Sequence, residues 1–505
     1  MKFNKLKKIF ILSGLLLMFL FAAACGGGTD TDGAGSDGGS IPHDPAESAN
    51  GGETPGETAP GGRPASVLPD AAVDFDGREF RMVQRPVLHL FHRHGAEEMT
   101  GEPVHDAVFI RNARIESMYN VRITYLEHDN PHNLINSMVM AGDDLFEMMI
   151  KSKRDSGNLG AQGMLWDLYD VPYIGDSLRQ GSPWWDHALQ RDLSIFGTLH
   201  FQSGDLIMQD KLRVAVMYFN KDMFTGLGIP FPYHHVYAGT WTIDTMLELT
   251  RGINRDLDGT GMTQKDQWGM MSEYFLGLHL FSSAGMRSVT LDSDGVPQIT
   301  KNTPRAVDVI RRVLEVSIEP GNVFHANRIT GAGPGGVWVQ ASNYFQENRF
   351  AIRTSVLEPV VRDLRAMPTD FGLLPFVKFD EYQENYYTHV NWDGWVVSIP
   401  SVADPEFAGF IIEALAYESG DTVMPAFIDL ALYSQILRDD ESEGMLHIIW
   451  DNRIYDIGTI FGIGRLDWML HDMVRDNSTD FVSRFEAARG TIESSLNTFI
   501  NTYLN

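Results

Sequence analysis

Two short runs hold the side chains best suited to grip a polar ring. The run NWDGW brings Trp392, Asp393 and Trp395 together around a glycine, and SPWWDH brings Trp184, Trp185 and Asp186 together after a proline. A flat indole can stack on the apolar face of a ring, while planar polar groups take the hydrogen bonds of hydroxyls set around it. The competing reading puts these tryptophans in the core, where large aromatics are equally at home.

Metal and nucleophile chemistry finds weaker footholds. In NRDLDGTGMTQKDQWG, Asn254, Asp256 and Asp258 alternate ahead of Gly259, as the oxygen ligands of a calcium loop do. Lys265 stands where such a loop needs a bidentate glutamate, and Asp266 falls one place late, so a plain acidic turn competes with calcium. His89, His92 and His94 precede Glu97 and Glu98 in VLHLFHRHGAEE, a spacing that resembles a metal cluster or a histidine-phosphatase start without completing either. HExxH, GxSxG and a phosphate-cradling GxxxxGK[ST] are all absent from the sequence. Paired carboxylates carry little weight in so acidic a chain.

The chain has 505 residues, with 67 acids against 40 bases and a formal charge of −27. That field repels phosphate backbones, so nucleic acid is excluded as an expected partner. Ten tryptophans and 29 phenylalanines supply a sizeable core. Only one cysteine occurs, Cys25, so no internal disulfide or cysteine-based metal site can form. It follows a lysine-rich start and the apolar run FILSGLLLMFLFAAA, the pattern of an export signal over residues 1–24. AAAC resembles the lipobox of bacterial lipoproteins, with Ala22 where leucine is usual; lipidation of Cys25 and anchoring to the cell membrane outside the cytoplasm are the expectation. Residues 25–72 are Gly, Pro, Ser, Thr and acids, a tether that buries too little apolar surface to order itself.

These residues need elements to position them. REFRMVQ and VRITYLE read as strands flanking the helical AVFIRNARIESMYN, a βαβ signature. PHNLINSMVMAG reads as a helix ending at Gly142, and LFEMMI as a buried strand delivering KSKRDSG as a loop. The alternation continues through VAVMYFN, KDMFTGLG, WTIDTMLELTRGI, TPRAVDVIRRVLEVSI, WVVSIP and DPEFAGFIIEALAYES, and the chain ends in the helical DFVSRFEAARGTIESSLNTFINTYL. The class is α/β with more than one sheet.

The succession GEPVHDAVFIRNARIESMYNVRI, SPWWDHALQRDLSIFGTLHFQSGDL, YFNKDMFTGLGIPFP, GTWTIDTMLELT, FQENRFAI and DFGLLPFVKFDEYQENYY resembles the extracellular solute-binding proteins of ABC importers, in the carbohydrate-binding layout of the maltose-binding proteins. The resemblance implies a two-lobed, periplasmic-binding-protein-like type II fold with a ligand cleft between mixed sheets flanked by helices. It places lobe 1 at 73–213 plus 393–436 and lobe 2 at 214–392 plus 437–505. The chain would cross near Val214, near Trp395 and at YSQILRDDES. It further implies a monomer that performs no catalysis, passing a carbohydrate to permease subunits. Lys151, Arg154, Arg213, Glu273, Tyr274 and Arg353 would line the cleft with Trp185, Trp392, Asp393 and Trp395. A peptide or other polar solute, or a secreted glycoside hydrolase, are the alternatives.

Overall fold

The computed structural model describes residues 64–504, apart from 70, 71, 88, 90, 91, 320, 365, 366, 369 and 434–439. Cys25, the export signal, most of the tether and most of YSQILRDDES therefore lie outside the described residues.

Helices begin where a side chain can take a free amide. Glu102 accepts the His105 N–H at 2.6 Å ahead of Pro103, opening the helix Pro103–Tyr119, and Asn120 ends it in the left-handed region at φ 47°. Asn130 opens Pro131–Ala141 and Gly142 closes it at φ 74°, as the sequence indicated. The stretch KSKRDSG departs from expectation. Lys151 and Ser152 finish a strand, and Ser152 then accepts the Asp155 N–H at 3.2 Å to start the helix Lys153–Ala161 directly, with no loop between.

The strands are β1 (Arg78–Gln84), β2 (Val121–Glu127), β3 (Met148–Ser152), β4 (Ala215–Asn220), β5 (Trp268–Ser272), β6 (Val289–Leu291), β7 (Pro297–Ile299), β8 (Val323–His325), β9 (Phe350–Val356), β10 (Phe371–Leu374), β11 (Thr388–His389), β12 (Trp395–Ser398) and β13 (Arg453–Ile454). One sheet runs β12-β3-β1-β2, with β1 parallel to β2 and β3, and β12 antiparallel to β3. The other runs β10-β4-β9-β5-β8, with β4 antiparallel to both neighbours and β9, β5 and β8 parallel. Two small pairs, β6-β7 and β11-β13, complete the set among the described residues.

Side-chain alternation divides the core. On β1 and β3, Phe80, Met82, Met148 and Ile150 point into the main core, while Val83 and Met149 meet Ile135, Met138, Leu159 and Leu165 on the opposite face. Every residue of β4 and β5 is buried, as strands covered on both faces must be. The result is two lobes of α/β structure.

The lobes meet where chain segments cross side by side. Val214 bridges Val390 in antiparallel fashion, the Asn391 N–H donates to the Arg213 carbonyl at 2.9 Å, and the Leu357 N–H donates to Val214 at 3.0 Å. The Lys153 N–H donates to the Gly394 carbonyl at 2.9 Å. A methyl group on Gly394 would collide with the Asp210 carboxylate and the Lys153 ammonium, both fully buried. Gly394→Ala is therefore expected to cost about 1–3 kcal/mol by overpacking; urea unfolding would measure this, and an unshifted midpoint would show that the crossing relaxes freely.

Candidate functional site

The carboxyl-terminal ends of β1 and β3, the end of β9 and the crossing 391–395 enclose a cavity of about 1030 Å³, at the ends of strands where open α/β sheets place their ligands. Trp392, Trp395 and Trp338 give it aromatic surface, and Lys151, Arg213 and Asp393 stand among its polar lining. Its charges are largely mutually engaged. Arg213 Nη1 lies 2.9 Å from Glu358 and 3.7 Å from Asp393, and Lys151 Nζ lies 3.1 Å from Asp155. Gln209 is buried and accepts the Trp395 N–H at 2.7 Å, holding that strand start against the cavity wall. His92 also lines the cavity, 6.5 Å from the Trp395 ring; burial and the neighbouring Arg213 push its pKa down to about 3, so the ring is neutral.

Behind Trp392 and Asp393 lies a second, smaller pocket of about 200 Å³, which shares those two residues with the large cavity. Glu273, at the end of β5, lines it with Phe275, His279, Asp467 and Trp468. Burial raises the Glu273 pKa to about 7, with Arg353 pulling it down and Asp393 pushing it up.

Lys151, Arg213, Glu273, Trp392, Asp393 and Trp395 thus come together at the two spaces. The other four expected site residues do not. Arg154 stacks over the Trp392 ring at 4.2 Å, donates to Asp467 Oδ2 at 2.8 Å and to the Ile460 carbonyl at 3.0 Å, so it braces the wall from behind. Arg353 is 3 % exposed and donates to Ser342 Oγ at 2.9 Å beneath the surface. Tyr274 packs its ring against His325 and His471 and receives Arg328 Nε on its hydroxyl at 3.4 Å, outside both linings. Trp185 is core: at 3 % exposure it donates to Glu413 Oε2 at 3.0 Å, while Trp184 donates to Oε1 at 2.9 Å. One buried carboxylate serves two indoles, and this pairing explains the double tryptophan.

Sequence reasoning missed Trp338, which is 42 % exposed at the start of the helix Gly336–Gln346. The signal was the glycine run before it: Gly331, Gly335 and Gly336 take φ of 68°, 88° and 75°, a backbone path closed to most residues.

The acidic turn brings Asp256, Asp258 and Asp266 together, with carboxylate oxygens within 4.8 Å of one another. Asp256 accepts the Gly259 and Gly261 N–H groups at 2.7 and 2.8 Å, and Asp266 accepts those of Leu257 and Thr263 at 2.9 and 2.7 Å. Asn254 turns its Oδ1 to the Gly269 N–H at 2.8 Å. These bonds account for the turn's shape through backbone capture alone.

No protein-family model matches the chain, and no curated protein sequence matches it. Among solved structures it is similar to the maltose/maltodextrin-binding domain of Bdellovibrio bacteriovorus bound to maltotriose, at 15% identity over 83% of this chain and 99% of that one, with a TM-score of 0.50. It is likewise similar to a cyclo/maltodextrin-binding protein complexed with maltotetraose, at 15% identity over 85% and 96% of the chains and a TM-score of 0.52. M. tuberculosis UspC follows at 14% identity over 83% and 100%, with a TM-score of 0.51. At these identities the likeness is one of fold.

Trp185→Ala should cost about 3–5 kcal/mol, since it empties core volume and removes an indole N–H donor from the buried Glu413 carboxylate. Trp395→Ala, at the half-buried cavity wall, should cost clearly less; denaturant unfolding of both variants checks the difference.

Proposed function

We propose that this chain is the extracytoplasmic solute-binding component of an ABC importer, capturing a carbohydrate between its lobes and passing it unaltered to the permease. The observation that carries this reading is the large cavity between the two sheets, where three tryptophans face paired, planar polar groups. Aromatic faces supply stacking surface for pyranose rings, and the carboxylate, guanidinium and amide groups answer hydroxyls in their plane. A cavity near 1000 Å³ sits at the upper end of small-molecule sites, a size that suits an oligosaccharide. The two similar proteins solved with maltotriose and maltotetraose support a sugar of that kind. In this reading lobe 1 is 73–213 with 393–436, lobe 2 is 214–392 with 437–505, and the protein works as a monomer that closes by hinge bending.

The chain would be exported by its first 24 residues and held at the membrane by acylated Cys25, with the acidic tether giving reach. No helix among the described residues is long and apolar enough to cross a membrane. Replacing Cys25 by alanine is expected to move the protein from the membrane fraction to the soluble fraction of the producing cells; retention in the membrane would count against the anchor.

A thermal-shift panel of linear and cyclic gluco-oligosaccharides, other neutral oligosaccharides and peptides tests the solute class, because a ligand selective for the folded state raises Tm. Oligosaccharides should raise it and leave the incubation uncleaved. With the best sugar in hand, Trp395→Ala should weaken binding by about 1–3 kcal/mol, roughly five- to 150-fold in Kd, by calorimetry. A peptide response, or cleavage products, would replace this reading.

A further inference from the structure

We infer that the glycine-rich segment 331–338 is a flap that lays Trp338 over the outer end of a bound solute and so favours longer chains, a deepening that rests on the solute-capture reading above. Among the described residues Trp338 is the one exposed tryptophan, at 42 %, and it lines the large cavity. The other two cavity tryptophans, Trp392 and Trp395, are half-buried on the crossing where the lobes join. A large apolar ring kept at the solvent edge of a cavity gains by burial once something fills that cavity.

The segment that carries this ring is held at both ends and lightly packed between them. At the near end, Gln264 Nε2 donates to the Thr330 carbonyl at 3.2 Å and to its hydroxyl oxygen at 3.3 Å. At the far end, Ala341, Ser342 and Phe345 of the helix Gly336–Gln346 are buried, and Ser342 Oγ accepts from Arg353 Nη1 at 2.9 Å and lies 3.1 Å from Asp363 Oδ2. Between these anchors Gly333, Pro334, Gly335 and Gly336 are all exposed, and Ala332 and Val337 rest half-buried on the core. A methyl group on Gly331, Gly333 or Gly336 would meet nothing within 4 Å. Open space therefore lies beside the stretch, and few contacts need to break for it to move.

Ordering such a stretch is costly. Four glycines stand within six positions, at 331, 333, 335 and 336, and glycine loses more backbone freedom on ordering than any other residue. An empty cavity offers nothing to offset that loss. A solute seated against Trp392 and Trp395 extends outward from the crossing, and a chain long enough to reach Trp338 supplies the missing contact. Stacking on an indole face is open to any pyranose ring, so Trp338 responds to the length of the solute more than to its linkage.

Hydrogen exchange and calorimetry with maltose, maltotriose, maltotetraose, cellobiose and cellotetraose test this. The amides of 331–338 should exchange fast in the empty protein, and a tetrasaccharide that binds should slow them about tenfold or more, while the matching disaccharide leaves them fast. Trp338→Ala should weaken the tetrasaccharide about tenfold and leave the disaccharide within about twofold, and Trp338→Phe should recover part of the loss. Circular dichroism confirms that both variants fold. If a tetrasaccharide binds but the 331–338 amides exchange as before, or if Trp338→Ala binds it as tightly as the parent protein, the inference fails and the carbohydrate reading stands. Slow exchange of these amides in the empty protein overturns the flap by itself. If none of the five sugars binds the folded protein, both fail.

Discussion

A lysine with no exposed surface sits at the junction of the lobes, and much of the architecture follows from the need to neutralise it. Lys153 pairs with Asp210, both side chains fully buried, and Asp210 Oδ2 accepts the Tyr455 hydroxyl at 2.9 Å. The same hydroxyl lies 2.7 Å from Asp186 Oδ2, which Arg453 approaches at 3.0 Å. One phenolic proton cannot serve two carboxylates fully, so the cations at either end must carry the balance. Burial together with Asp186 and Asp210 drives the Tyr455 pKa well above its ordinary value, which keeps that proton in place. Removing one partner from such a chain strands a charge away from water, at a cost of about 3–5 kcal/mol.

This network draws its members from distant stretches. Lys153 opens a helix after β3, Asp210 lies just before the first crossing, Asp186 caps the helix His187–Leu193, and Arg453 and Tyr455 stand at β13. β13 pairs with β11, which leads straight into the crossing that carries Trp392 and Asp393. Charge satisfaction at the junction therefore fixes the path of the residues that wall the cavity. Gly394 is small because Asp210 and Lys153 occupy the space a side chain would need.

How much of this was legible follows from the range of the interactions. β1 and β2 coincide with REFRMVQ and VRITYLE because period-two alternation is local. The NWDGW run reached the cavity because three candidate residues sit within four positions of one another. Trp185 was misread because its partner Glu413 lies 228 residues away, and nothing near SPWWDH signals that a buried carboxylate will meet both indoles. Arg154 was misread for a related reason. Its neighbours Lys151 and Lys153 take wholly different fates, one at the cavity and one in the core, because a strand passes into a helix between them. Trp338 went unread because a glycine run looks like a loop until its helix is seen to begin beside the cavity.

Trp392 ties the junction of the lobes to the two spaces it lines. Its ring is a wall of both spaces, and Arg154 covers it at 4.2 Å while bonding Asp467 and the carbonyl of Ile460. Through Arg154 the ring is thus tied to the helix Lys153–Ala161 and to the segment that follows β13. Any rotation of one lobe against the other must either carry Trp392 with Arg154 or separate the two. In the capture proposed above, a solute stacked on this ring would contribute free energy that differs between these two arrangements, and only such a difference lets binding drive closure. Asp393, the adjoining residue, reaches Arg213 on the other crossing segment, so the same two-residue stretch is held from both segments that cross at the junction.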